Sequence, residues 1–295
     1  MKPAQFDYIA PETVEEAAAA LAASAGDGKI IAGGQSLMPM INFRLVKPSI
    51  LIDINRIAGL DRIDFDGKRL RIGATIRHHM TATNALVARH LPVVHDAMHH
   101  VAHMTVRNRG TFCGSVAHAD PAAEMPLMTR VFDGTIIAFS ERGERRIPAA
   151  EFFAGSLVNT LEQDELVIAV EINAMPQDAG WGFEEFARRH GDFALACFAT
   201  TLRVETGAAT GVRVGMMGVG ETPLRLPEIE EVVEGTDLSE PVLETVADKL
   251  KDILTPNTDI HASADYRRHL SGVLAKRALR AAWSRANGRE VRRHG

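Results

Sequence analysis

Two short segments set glycines beside hydroxyl and amide side chains, a combination suited to holding phosphate groups. The first is Lys29-Ile30-Ile31-Ala32-Gly33-Gly34-Gln35-Ser36, followed by Leu37. Its apolar run Ile30 to Ala32 predicts a buried strand that breaks at two glycines. Glycine takes positive φ and lets a bound group come close to the main chain. Successive N–H groups in such a turn form a concave anion site, and Gln35 and Ser36 add side-chain hydrogen bonds. The chemistry would be the cradling of a diphosphate. A plain strand-to-loop turn uses the same residues, and spacing alone does not separate the two. The pattern is not G-x-G-x-x-G, so a nicotinamide Rossmann site is not supported.

The second segment runs from Arg107 to Glu124. Gly110, Thr111, Gly114 and Ser115 again join backbone freedom to hydroxyls. Asp120 and Glu124 are carboxylates that could accept both hydroxyls of a ribose, or a ring N–H. Asp120 also stands where it could cap a helix from Pro121 to Leu127, with Pro at the first helical position. Both readings of Asp120 stay open at this level.

Other reactive residues form no complete site. His99, His100 and His103 fall in one helical pattern, and His99 and His103 have the i, i+4 spacing of a metal pair, but no third ligand sits at suitable spacing. No metal is expected on this chain. The chain has two cysteines, Cys113 and Cys197. Without a CxxC they cannot hold an iron–sulfur cluster or a Cys-rich zinc site. No Ser-His-Asp arrangement follows from order or spacing, and no catalytic residue is assigned. The formal charge of -5 and pI of about 6.2 argue against nucleic acid as a partner. Met1 to Glu12 holds no long apolar run, and no stretch reaches the length of about 18 apolar residues that spans a membrane. The expectation is a cytoplasmic protein without direct membrane insertion, which an acceptor could still hold at the inner face of the membrane.

The elements that must position these segments follow from periodicity. Thr13 and Glu16 form a capping box ahead of a first helix. Ile50 to Ile54 reads as a strand, and Asp66–Gly67 as a hairpin turn into Leu70 to Gly73. Helical patterns follow at Met80 to Arg89 and Val93 to His103, and a further helix lies near Pro126 to Val131. Thr135 to Phe139 and Leu166 to Ile172 read as a strand pair. Pro176 to Gly182 reads as a linker. Beyond it come strands at Ala194 to Val204 and Val212 to Val219, and helices at Leu226 to Glu234, Glu240 to Leu254 and Ala264 to Ala286. The basic tail, with Arg289, Arg292 and Arg293, reads as a solvated end. Strands and helices do not alternate as βαβ units, so the fold class is α+β. The expected domains are 1–176, in two lobes of about 1–57 and 58–176, then a smaller α/β domain over 177–287 and a tail over 288–295.

The two segments, in this order and about 75 residues apart, resemble the FAD subunit of the xanthine dehydrogenase and carbon monoxide dehydrogenase family. Further resemblance lies in Met1-Lys-Pro-Ala-Gln-Phe-Asp-Tyr, Pro39-Met-Ile-Asn-Phe-Arg-Leu, Leu51-Ile-Asp-Ile-Asn and His118-Ala-Asp-Pro-Ala-Ala-Glu. In the last domain it lies in Phe183-Glu-Glu-Phe-Ala-Arg-Arg-His-Gly-Asp-Phe-Ala and Ile260-His-Ala-Ser-Ala-Asp-Tyr-Arg-Arg. The resemblance covers nearly the whole chain. It implies a two-lobed FAD-binding domain of the vanillyl-alcohol-oxidase (PCMH) type and a C-terminal domain of the CO dehydrogenase flavoprotein type.

In the family pattern Lys29 to Ser36 and Gly110 to Ser115 hold the FAD diphosphate from two sides. Ala102 and Glu124 match positions near the adenosine or ribitol part, and Leu166 an apolar position against the cofactor. Arg188 or Arg189 matches a basic residue close to the flavin, and Phe193 an aromatic near its ring. Leu37, Ala117 and Asp120 complete the implied set. One departure is Cys113, where the family has glycine: a Cβ there costs about 1 kcal/mol or more if φ is positive, which would weaken FAD retention. The resemblance also implies a large molybdopterin subunit and a small [2Fe-2S] subunit as partners, in a dimer of heterotrimers. Electrons would pass from the clusters through FAD to an external acceptor. A self-contained flavin oxidoreductase on the same fold and a flavin-free assembly subunit are the alternatives. The substrate (carbon monoxide, N-heterocycles, purines or aromatic aldehydes) and the acceptor (NAD, a quinone, a cytochrome or oxygen) stay open.

Overall fold

The computed structural model describes residues 2–288, so the basic residues Arg289, Arg292 and Arg293 lie outside the described residues. The first lobe holds β1 (Asp7–Ile9), α1 (Val14–Ala23), β2 (Gly28–Ile31), α2 (Leu37–Asn42) and β3 (Ile50–Asp53). Thr13 caps α1 by accepting a hydrogen bond from the Glu16 N–H at 3.1 Å. Both β1 and β2 pair in parallel with β3, so the C-terminal ends of β2 and β3 lie side by side. The first glycine segment and Asp53 therefore emerge at one edge.

The second lobe opens with β4 (Ile63–Phe65) and β5 (Arg69–Gly73), joined at Asp66, whose Oδ1 accepts from the Lys68 and Arg69 N–H groups. Five short helices follow: α3 (His78–Thr83), α4 (Ala85–His90), α5 (Pro92–Ala97), α6 (Met104–Arg107) and α7 (Phe112–His118). Then come α8 (Glu124–Val131), β6 (Thr135–Ser140), β7 (Gly143–Pro148), α9 (Ala149–Phe152), β8 (Phe153–Gly155), β9 (Val158–Asn159) and β10 (Leu166–Asn173). The antiparallel sheet runs β4-β5-β10-β6-β7.

The third lobe is an antiparallel sheet of β11 (Gly180–Phe186), β12 (Ala196–Glu205), β13 (Ala208–Met217) and β14 (Leu224–Arg225), with α10 (Pro227–Val233), α11 (Glu240–Ile253) and α12 (Ala264–Ala286). The whole is α+β, as the element order indicated. One apolar core fills the first two lobes and reaches Cys197, Ala199 and Met217 of the third; a second core lies between the third sheet and its helices. The Trp181 indole N–H donates to Asp96 Oδ2 at 2.9 Å, and the Arg285 guanidinium lies 4.6 Å above the same ring. This contact fastens β11 to both α5 and α12.

Several local expectations are corrected. The pattern from Met80 to Arg89 is two helices, because the Asn84 side chain accepts from the Leu86 and Val87 N–H groups and starts α4 afresh. The pattern from Val93 to His103 ends at Ala97; Ala102 takes a left-handed φ of 41° and His103 precedes α6. His99, His100 and His103 therefore share no helix face. Among the described residues no group of three His, Cys, Asp or Glu side chains could hold a metal ion. Asp120 does not cap a helix at Pro121: its Oδ1 accepts from the Ala122 N–H at 2.9 Å, and α8 begins only at Glu124. The linker ends before Gly180, where β11 starts. A Cβ on Gly182 would lie 2.0 Å from the Ala278 carbonyl oxygen, so the glycine permits close packing of α12 on the strand.

Candidate functional site

Where β2 and β3 end, a cavity of about 570 Å³ opens. Ile31, Ala32, Gly33, Gly34 and Gln35 form one wall, and Asp53 and Asn55 another; Arg77 and Arg109 face them from the second lobe. Gly34 has φ 69°, the left-handed turn that carries the chain from β2 toward α2. Gly33 meets the second glycine segment directly. A Cβ there would lie 2.4 Å from the Arg109 carbonyl oxygen and 2.7 Å from the Gly110 Cα. The two segments thus form one cradle, closed by main chain on both sides.

The second segment is held in place by backbone pairing. The Gly110 carbonyl accepts from the His78 N–H at 2.9 Å, and the Phe112 N–H donates to the Ile76 carbonyl at 3.0 Å. The Thr111 hydroxyl then accepts from the Gly114 N–H at 3.0 Å and starts α7. A polar chain crosses the cavity floor. Tyr8 Oη donates to Asp53 Oδ2 at 2.6 Å, Asn55 Nδ2 donates to the Ala32 carbonyl at 2.8 Å, and Arg77 Nη2 donates to Asn55 Oδ1 at 2.6 Å. Arg77 also donates to the Arg109 carbonyl. Burial alone would raise the Asp53 carboxyl. Hydrogen bonds from Tyr8 and Asn55 and the charge of Arg77 outweigh it and hold the group below its usual value. Burial and the like charge of Arg109 lower the Arg77 pKa. Two guanidiniums that repel each other across a glycine-lined hollow fit a bound diphosphate, which would neutralise both.

Comparison with known proteins decides the family. Residues 4–174 match the FAD binding domain in molybdopterin dehydrogenase, and residues 181–282 match the CO dehydrogenase flavoprotein C-terminal domain. The chain belongs to the FAD-binding subunits of the molybdopterin dehydrogenases. It is 38% identical over 287 residues to the 6-hydroxypseudooxynicotine dehydrogenase complex subunit alpha of Paenarthrobacter nicotinovorans, covering 97% of each chain. It is 34% identical over 285 residues to the carbon monoxide dehydrogenase medium chain of Hydrogenophaga pseudoflava, covering 97% of this chain and 99% of that one. The solved carbon monoxide dehydrogenase of H. pseudoflava superposes with a TM-score of 0.94 at 34% identity, over 97% of this chain and 99% of that chain. Quinoline 2-oxidoreductase of Pseudomonas putida 86 gives 0.93 at 36% identity, with the same coverage. This molybdopterin dehydrogenase subunit is thus an oxidoreductase component whose first domain is an FAD-binding domain. No helix among its described residues is long and apolar enough to cross a membrane.

The residues expected around FAD fall into distinct places. Lys29 and Ile30 lie back along β2, Ser36 precedes α2 and Leu37 opens it. Ala102 turns the chain, and its carbonyl accepts from Arg107 Nη1 at 2.8 Å. Gly114 and Ser115 follow the Thr111 cap, and the Ala117 carbonyl accepts from Asn159 Nδ2 at 2.7 Å. Cys113 does not face the cavity. It lies within a right-handed helical turn, 2% exposed, and its thiol donates to the Ile72 carbonyl at 3.3 Å. The backbone at 113 has no need of glycine, so the strain expected there is absent. Leu166 is buried in the first core and lines neither cavity. Asp120, Arg188 and Phe193 line a second cavity at the meeting of the second and third lobes.

Sequence reasoning passed over Met38, Asp53, Asn55, Arg77 and Arg109 as cavity residues. Asp53 and Asn55 lay within the matching stretch Leu51 to Asn55, and Arg109 beside Gly110, so the signal was at hand; Arg77 carried none. Away from the lining of both cavities, the fold also buries a carboxyl that the sequence did not signal, Glu185. Burial pushes the Glu124 carboxyl up to about 7, and Asp120 adds to the effect. Burial and the Glu124 charge push Glu185 up to about 9. Among the described residues, the Glu185 Oε2 atom is out of solvent and without a hydrogen-bond partner. Glu185 therefore holds its proton at neutral pH.

Proposed function

We propose that this chain is the electron-carrying FAD subunit of a heteromeric molybdenum hydroxylase. The observation that carries the reading is the junction at Gly33, where the two glycine segments close one main-chain cradle under Arg77 and Arg109. Gly33 to Ser36 and Gly110 to Ser115 would hold the diphosphate, with the two guanidiniums balancing its charge. Ala102 and Glu124 would meet the rest of the cofactor in the second lobe. Bound FAD supplies a carrier that accepts and releases electrons singly or in pairs. The chain's own work is to fix its position and exclude water around it. No acid–base pair is assigned here, because substrate hydroxylation belongs to a large molybdopterin-binding partner. A small [2Fe-2S] partner would deliver the electrons, and an external acceptor would remove them. The names of the relatives support this reading, since they are subunits or medium chains of larger dehydrogenases.

The test is to purify the chain with its neighbours and record its visible spectrum, flavin content and partner chains. A flavin spectrum with molybdenum- and iron-bearing chains alongside is the expected result. A colourless protein that takes up no added FAD would overturn the flavin reading, and a flavoprotein that never associates with such partners would overturn the heteromeric one.

A further inference from the structure

His78 opens α3 directly behind the second glycine segment. Its N–H donates to the Gly110 carbonyl at 2.9 Å, Arg77 bridges Thr111, and the Phe112 N–H donates to the Ile76 carbonyl. Residues 76–78 therefore carry the segment as a short antiparallel pair. The imidazole fills the space that Gly110 leaves. A Cβ on Gly110 would lie 2.8 Å from His78 Cδ2 and 3.2 Å from Nε2. The second segment thus rests on this ring while its other side meets Gly33.

The ring is poorly placed to carry charge. His78 is 5% exposed, and among the described residues its Nδ1 is out of solvent with no hydrogen-bond partner. A buried ring nitrogen without an acceptor pays the full cost of desolvating an added proton. The helices packed against α3 bring Arg89 and His90 on α4, His95 and Asp96 on α5, and Arg107 on α6. Arg77, His79 and Arg109 stand nearby along the two paired stretches. Of these, Arg107 bears on the imidazole, and its charge repels a proton there. Arg107 is held in place, donating to the Val101 and Ala102 carbonyls, both at 2.8 Å. Burial and Arg107 together push the His78 pKa from 6.5 down to about 4.

We propose that His78 is the positioning residue of the second glycine segment, which it holds against the first only as the neutral imidazole, so that acid opens the cradle. His78 acts through Gly110 and not on the cofactor. The consequence for FAD rests on the reading of the cradle given above. With the segment closed the imidazole titrates near 4; freed into water it titrates near 6.5. The open state therefore binds more protons between those values, and the closed state loses ground as pH falls from about 6.5 to about 4.

The experiment follows hydrogen exchange of residues 107–118 in the flavin-free full chain at about pH 7.5 and about pH 5, corrected for intrinsic rates. FAD is titrated into the same samples. The expected result is lower protection at the acid pH and FAD binding weaker by about tenfold. His78→Gln and His78→Leu, each checked for folding by its melting transition, should show a much flatter response. Other titrating groups act alike on all three chains, so the difference between profiles belongs to the imidazole. A ring that only fills space would give substituted and unchanged chains the same pH profile, and that result would overturn the inference. Protection of the unchanged chain that does not vary with pH would overturn it as well. Acid opening that depends on His78, without FAD uptake at either pH, supports the role of His78 and removes the flavin reading.

Discussion

The two cavities are built from different materials. The first is closed by main chain, with glycines from two short segments meeting at Gly33, and carries polar side chains on its other wall with two arginines facing them. The second is made of side chains, with Arg188, Phe193, His261 and Arg267 brought together from stretches far apart in sequence. A main-chain cradle tolerates change in most side chains around it but not an added Cβ at the point of closest approach. A side-chain pocket behaves in the opposite way: its backbone tolerates substitution, and its chemistry is lost one side chain at a time.

Substitutions sharpen that contrast, and among the side chains the largest effect is expected at Arg77. Arg77→Met removes the guanidinium that ties Asn55 to the Arg109 carbonyl across the first cavity. FAD affinity should fall ten- to a hundredfold, the scale of one or two charge-assisted contacts, as read by titrating FAD into flavin-stripped protein. Unchanged affinity would mean that the main chain alone holds the cofactor.

Cys113→Gly asks whether the second glycine segment belongs to the cavity along its whole length. With its thiol in the core, the variant should keep its flavin and lose about 2 kcal/mol of stability, from lost burial and glycine in a helix. Flavin loss without destabilisation would put residue 113 back in the cradle.

Glu185 lies on β11. A carboxyl raised from 4.5 to about 9 keeps its proton in the folded chain and loses it in the unfolded one. The folded state therefore binds more protons between about pH 4.5 and 9, and stability falls as pH rises through that window. Glu124, pushed up to about 7, acts with the same sign. Melting temperatures should fall between pH 6 and 9, and Glu185→Gln should flatten the fall and melt higher than the unchanged chain at pH 9. Identical profiles would show that the carboxyl is not buried as described. The smallest effect is expected far from both cavities, where Asn84→Ala removes the cap of α4 and should cost about 1 kcal/mol in chemical denaturation without altering flavin content.

The same contrast explains what could be read from the residues. The first glycine segment was visible as a glycine pair at a strand end, but its spacing fitted a plain turn equally well, and only the matching stretches around it pointed to a cradle. Long amphipathic helices such as α11 and α12 were legible through their periodicity. The charged strand β7 was not, since Gly143 to Pro148 shows no apolar run; it lies at the sheet edge, and among the described residues it pairs with β6 alone. Gly180 and Gly182 suggested a linker because the sequence cannot tell a glycine that turns from a glycine that admits a neighbouring helix. The histidines at 99, 100 and 103 suggested one helix because nothing marks an alanine, Ala102, that takes a left-handed turn. Arg188, His261 and Arg267 gave no shared signal, because only the folded third lobe brings them together.

The most direct test of the central claim is the flavin content of Gly33→Ala beside the unchanged chain, each shown to be folded by its melting transition. One methyl group placed 2.4 Å from the Arg109 carbonyl oxygen must push the two segments apart. The account predicts about one FAD per chain in the unchanged protein and severe loss in the variant. A folded Gly33→Ala protein that keeps its full complement of FAD would contradict it.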